Sequence, residues 1–191
     1  MNKGLHIQQA MMDAGADKAA VLHPDNIVLS REFREICQRN QCGKFERCWM
    51  CPPEIGAIES LMQRVRRYSG AVLYQTISPL SDSFDIEGML HAAQSHAALS
   101  NRIQQRLIAM QIGDSLHLTC GGCHLCPTCA KEQNVPCRFP KNALPSLEGY
   151  GVDVYRTTAG TDLKYLNGEN TVTYFGMVLY QEGGHGKAHG L

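Results

Sequence analysis

The spacing of apolar residues changes several times along the chain, and each spacing predicts a different element. Residues 5–14 carry Leu5, Gln9 and Met12 along one helical side, so a first helix is expected there. Two short strand-like runs follow, "KAAVLH" and "NIVLS". Residues 31–38 read as a short helix that delivers Cys37, and residues 57–68 place Ile58, Leu61, Met62 and Val65 at helical spacing. Gly70 is expected to end that helix ahead of "AVLYQTIS", a β-branched and aromatic strand. The longest helical pattern covers residues 86–111, with Leu99, Ile103, Leu107 and Met110 on one face. Asp82, Asp85 and Glu87 gather at its start, where acidic groups favour the helix dipole. "SLHLT" reads as a strand leading into a cysteine-rich stretch, Ser146 as the cap of a helix running to residue 158, and "TVTYFGMVLY" as the last strong strand.

Strands separated by helices predict an α/β (α+β) fold: a small mixed sheet with flanking helices, and cysteine loops leaving the ends of strands and helices. A length of 191 residues suits one domain, taken as 1–191, with cluster loops at 37–53 and 120–140. The tail at 182–191 is glycine-rich without an apolar anchor and is expected to be flexible.

Charge narrows the partners. Lys+Arg and Asp+Glu balance at 18 each, which argues against a nucleic-acid binder working through a basic field. Arg64, Arg66 and Arg67 form the tightest basic cluster and read as the solvated face of a helix. The N-terminal stretch "MNKGLHIQQAMMDAGADKAA" has no apolar run of signal-peptide or membrane-span length, so a cytoplasmic protein without membrane association is expected. In that reducing compartment disulfides are rare, and nine cysteines read as metal ligands, redox thiols or both.

The cysteines fall into two sets, Cys37, Cys42, Cys48 and Cys51, then Cys120, Cys123, Cys126, Cys129 and Cys137. In "TCGGCHLCPTC", Cys123, Cys126 and Cys129 put three thiolates on one short loop. This is the start used by ferredoxin cluster motifs, with a more remote cysteine, here Cys137, supplying the fourth corner. Gly121 and Gly122 permit close backbone approach, and Pro136 and Pro140 stiffen the chain beside Cys137. Cys120 is then the odd thiol. The first set, C-x4-C-x5-C-x2-C-P-P, suits iron–sulfur or zinc when taken alone. Phe45 and Trp49 either shield a cluster from water or are ordinary core residues. His117 and His124 are competing ligands in the second region. His91 and His96 lie five apart, off the spacing of a helical metal pair, and His185 and His189 sit in the tail. No phosphate loop, dinucleotide fingerprint or nucleophile elbow is present.

The stretches "REFREICQRNQCGKFERCWMCPP", "GGCHLCPTCAKEQNVPCRFP", "LPSLEGYGVDV" and "NGENTVTYFG" occur in an order that resembles a family of predicted metal-binding proteins of unknown function, found mainly in anaerobic bacteria and archaea. The resemblance runs from the first helix to the last strand. It implies a metal or cluster site and supplies no reaction. Cys48 and Cys120 depart from the family pattern, where these positions are often not cysteine.

The expectation is therefore an iron–sulfur protein with two 4Fe–4S clusters, acting in low-potential electron transfer or in redox activation of a partner protein. Cys37, Cys42, Cys48 and Cys51 would hold one cluster, and Cys123, Cys126, Cys129 and Cys137 the other. Two alternatives stand beside it: a zinc-stabilised module with two four-cysteine sites and no redox role, and a redox enzyme using an iron left open in the first cluster.

Overall fold

The computed structural model describes residues 2–182. Helix α1 (Lys3–Ala14) starts at Asn2, whose side-chain oxygen accepts the N–H of Gly4 at 2.9 Å, and stops at Gly15, which takes a left-handed φ of 108°. Its buried positions are Ile7, Ala10 and Met11, whereas Leu5 and Met12 face solvent. The helix is where the periodicity predicts it, but it is rotated: the side that meets the sheet is set by Ile7 and Met11, four apart.

Strand β1 (Lys18–Leu22) leads to a 3-10 turn at Pro24–Asn26, then to helices α2 (Glu32–Gln38) and α3 (Ile58–Arg66). "NIVLS" is not a strand: Leu29 makes one isolated bridge, to Val152. The Arg66 guanidinium donates to the carbonyls of Pro24 and Ile27, taking up backbone acceptors that a ladder would need. Arg66 is thus a clamp rather than part of a solvated face. Helix α3 ends at Arg66, and Gly70 opens strand β2 (Gly70–Pro79) instead of terminating the helix. Helix α4 (Ile86–Ala109) and strand β3 (Ser115–Leu118) follow, and strand β4 (Thr171–Tyr180) ends the sheet.

Ser146 does cap a turn, accepting the Gly149 N–H at 2.9 Å, but the turn is a 3-10 segment at Glu148–Tyr150. Gly151 has φ of 76°, and a β-carbon there would lie 2.9 Å from the Ser30 carbonyl oxygen. The backbone must turn left at this point, so the helix expected through 158 breaks and restarts as α5 (Val154–Thr158), capped by Asp153.

The α+β class holds. The sheet order is β1-β2-β4-β3, and every strand pairing is antiparallel rather than mixed. β2 and β4 pair along ten residues, from Gly70 opposite Tyr180 to Pro79 opposite Thr171. Both faces of this central pair are covered. Val72, Tyr74, Val178 and Tyr180 pack on α1 and α4 with Ile7, Met11, Leu99 and Ile103. Ala71, Leu73, Met177 and Leu179 pack on the other face with Leu61 and Val65 of α3 and with Leu147, Tyr150 and Val152. A strand covered on both faces reads as a continuous apolar run, which is why residues 70–74 show no alternation.

Gly176 lies opposite Tyr74, and a β-carbon at Gly176 would fall 2.2 Å from the tyrosine ring and hydroxyl. The Tyr74 hydroxyl anchors a buried polar chain. It donates to Ser100 at 2.7 Å and pairs with His117 Nε2 at 2.9 Å; His117 Nδ1 meets Gln104 at 3.1 Å, and Ser100 meets Thr119 at 2.9 Å. Among the described residues no helix is long and apolar enough to cross a membrane. Apart from Glu182, the predicted tail lies outside the described residues.

Candidate metal centre

The second cysteine loop is rooted in the sheet. β3 ends at Leu118, Thr119 is bridged to Ser146 and bonded to Ser100, and Cys120 follows at once. Gly121 takes φ of 66°, and Gly122 presses the loop against the first: a β-carbon at Gly122 would lie 3.1 Å from Lys44 Cγ and 3.3 Å from Cys51 Sγ. Cys123, Cys126 and Cys129 then wind around one small cavity. A 3-10 turn at Ala130–Gln133, closed by Asn134 in the left-handed region, returns the chain to bring Cys137 to the same cavity.

The first loop starts from α2, whose last turn carries Cys37. Asn40 accepts the Phe45 N–H at 3.0 Å and shapes the turn that holds exposed Cys42. Cys48 and Cys51 are buried. Cys48 does not stay with its own loop: it lines the cavity of Cys123, Cys126, Cys129 and Cys137. It also lies against Cys51, whose thiol donates to it and holds the Cys48 thiol below its ordinary range despite burial. Cys51 is pushed up in turn by that hydrogen bond, by burial and by the nearby charges of Cys48, Cys42 and Cys37.

Five cysteines therefore line one cavity, Cys48 with Cys123, Cys126, Cys129 and Cys137, while Cys37, Cys42 and Cys51 lie outside it. The two sets meet where Cys48 touches Cys51. The five-thiol cavity is about 20 Å³, room for a water-sized group, so a polynuclear cluster needs its walls to part. The five thiols share this cavity without closing into a ligand set: among the described residues no three His, Cys, Asp or Glu side chains stand close enough to hold one ion as they are. The donor set is soft and anionic when deprotonated, which fits zinc or iron–sulfur.

Two cationic and two acidic groups strap the loops together. Trp49 in the first loop donates its indole N–H to the Val135 carbonyl in the second at 2.9 Å. Lys131 sits 4.6 Å over the Trp49 ring and pairs with Glu54 at 2.7 Å, with both side chains largely buried. Arg47 pairs with Glu132 at 3.0 Å. Trp49 is thus a bridge between loops, a role its sequence context did not signal. Phe45 is half-buried in the first loop.

Of the histidines, His117 has both ring nitrogens engaged in the core, and burial pushes it down to about 3. His96 is also buried and is pushed down to about 4. His124 is half-buried, lowered by burial and by Lys44. Cys120 does not line the five-thiol cavity, though it shares another with Cys123. It lines a separate, larger cleft with Glu148, and burial, reinforced by that carboxylate, pushes its thiol up to about 12.

Glu148 is the residue sequence reasoning missed. Burial raises its pKa, and its charge raises that of Cys37 as well as Cys120. Its Oε2 is enclosed without a hydrogen-bond partner. Arg34, one turn before Cys37, opposes Glu148 by lowering the Cys37 thiol, and it donates to the Gly56 carbonyl at 3.0 Å. A glutamate in a quoted matching stretch was visible; that it folds back onto Cys37 from more than a hundred residues away was not.

No curated protein and no solved structure matches the chain. A family model does, over residues 20–180, a span that takes in both cysteine loops and all four strands except the first two residues of β1. With its thiols gathered into two adjoining sets, the chain belongs to the family described as predicted metal-binding protein (DUF2284).

Proposed function

We propose that this chain is an iron–sulfur protein with two 4Fe–4S clusters that serves low-potential electron transfer or the redox activation of a partner. Cys123, Cys126, Cys129 and Cys137 hold one cluster. Cys37, Cys42 and Cys51 hold the other, and Cys48, assigned to this set by spacing alone, stands at the junction on the side of the first-named cluster. The observation that carries the reading is the convergence of five cysteines on one cavity. A fifth thiol is spare for zinc and for a cubane alike; what favours the cubane is the three-residue rhythm of Cys123, Cys126 and Cys129 with Cys137 behind it, where tetrahedral zinc commonly takes two paired knuckles.

The trio supports a second reading, redox chemistry at the first cluster. Three thiolates leave one corner of a cubane without a cysteine, and the buried carboxylate of Glu148 lies beside Cys37. When bound, such a cluster supplies or accepts one electron at a time. The chain's own residues would tune it. Arg34 and Glu148 act with opposite sign on Cys37, and the Cys51 thiol donates to Cys48.

Purification without oxygen, followed by iron, sulfide and zinc analysis, tests the proposal. About eight irons and matching sulfide per chain are expected, from four per cubane. Cys126→Ser is expected to remove about half of that iron and Cys42→Ser the other half. Retention of the Cys42 cluster in Cys48→Ser keeps Cys48 out of the first ligand set. A colourless protein holding two zinc ions overturns the proposal in favour of the zinc-stabilised module.

A further inference from the structure

The cleft that holds Cys120 and Glu148 has a volume of about 800 Å³, within the range of small-molecule pockets. One wall is α4, where Ala93 and Ala97, four apart, leave a shallow flat surface. Tyr165 and Phe175 also line the cleft, their rings stacked on one another at 5.7 Å and inclined by 9°. Neutral amides, Gln94 and Asn101, lie along the helix side. No lysine or arginine lines it among the described residues. Its only carboxylate is Glu148, whose Oε2 is buried with no hydrogen-bond partner.

A buried acceptor without a donor is costly, by about 1–3 kcal/mol for a neutral group and more for a charged one, unless something supplies the donor. A cleft with an aromatic wall, a flat helical wall and no cation suits a planar molecule of neutral or positive charge. Anionic ligands such as phosphates or carboxylates would face Glu148 with only His124 to offset it, an imidazole that burial and Lys44 hold toward its neutral form. We infer that this cleft is a binding site for a flat, uncharged or cationic organic molecule that lies against Ala93 and Ala97 and donates an N–H to Glu148. The site rests on the proposed function only for its purpose. Cys120 lines the same cleft, so the ligand sits beside that thiol.

Calorimetric titration of the metal-loaded full chain with three matched probes tests this: 1-naphthylmethylamine, 1-naphthalenemethanol and 1-naphthoate. The amine is expected to bind at least tenfold more tightly than the carboxylate, with the alcohol between. Ala97→Trp fills the cleft and is expected to weaken the amine at least tenfold while leaving iron or zinc content unchanged. Ala93→Phe repeats the test from the next turn if Ala97→Trp does not fold. Glu148→Gln is expected to remove the preference of amine over alcohol. Equal or tighter binding of 1-naphthoate, or unchanged amine affinity in both filled variants, overturns the inference. So does the absence of any probe binding with metal content intact, which would leave the exposed Leu90 and Tyr165 as a surface for a protein partner. Metal analysis is read separately: a chain without iron that still binds the amine refutes the cluster proposal and leaves the cleft standing.

Discussion

The sheet and the cysteine lobe are built on different terms. In β2, every residue from Gly70 to Gln75 is buried, and two apolar clusters cover the two faces. Between Arg31 and Ala57 only Cys48, Cys51 and Pro52 are buried, and between Cys120 and Asn142 only Ala130. At roughly 25 cal/mol per Å² of apolar surface, the sheet can stabilise itself, and the lobe has little to bury. What holds the lobe is polar: the Trp49–Val135 bond, the Lys131–Glu54 pair and contacts among thiols. A region with so small a core needs a staple, and thiolate–metal bonds are one that a small core commonly uses.

The strongest way to break this contrast is to attack the sheet. Gly176→Ala puts a β-carbon into Tyr74, and both regions are expected to unfold together, with a loss of about 3 kcal/mol or more in urea denaturation. A protein whose midpoint is unchanged would show that the β2–β4 register is looser than described. Metal removal should do the reverse. After chelation under reducing conditions, amide hydrogen exchange is expected to rise by orders of magnitude in residues 37–56 and 120–142 while β2 and β4 stay protected. Equal loss of protection in both regions would mean that the lobe also supports the sheet.

Acid acts on the sheet through its buried histidines. His117 and His96 have folded pKa values of about 3 and 4, below the unfolded value of about 6.5. Below 6.5 the unfolded chain therefore binds protons that the folded chain refuses, so stability is full at pH 7 and falls as pH drops toward 4. The urea midpoint should decline between pH 7 and 5, and His117→Gln should make that decline shallower. A midpoint flat in pH would place the histidines in wetter surroundings.

Smaller effects are expected inside the lobe. Trp49→Phe keeps the ring and removes the N–H, so it should cost about 1 kcal/mol and show only in exchange of the 130–137 turn. Cys120→Ser should leave metal content unchanged, since Cys120 lines the cleft and not the thiol cavity. Loss of metal in that variant would move Cys120 into a ligand set.

Legibility followed the same division. Helices α3 and α4 are readable because each repeats one spacing over nine or more residues, and strands β2 and β4 because each is a run of β-branched and aromatic residues. The errors came where one tertiary contact overrode a local pattern. Arg66 takes the Ile27 carbonyl of the "NIVLS" segment, and Gly151 meets the Ser30 carbonyl and breaks a helix. In the lobe, Cys123, Cys126 and Cys129, read together from their rhythm, line one cavity because they share a loop. Cys48, read with its sequence neighbours, lines that same cavity from the other loop. The approach of Glu148 to Cys37 is a product of the fold's closure, and no spacing encodes it.

The strap at Trp49 also has an entropic consequence. It joins residues 86 positions apart through a hydrogen bond that involves no metal. The strap holds the two loops near one another before any metal enters, so the chain freedom that thiolate–metal bonds between Cys48 and Cys123 must still remove is that of a tethered pair of loops and not of two independent ones. Uptake then orders a lobe whose halves already know their partner, and the strap lowers the entropic cost of that ordering without replacing it.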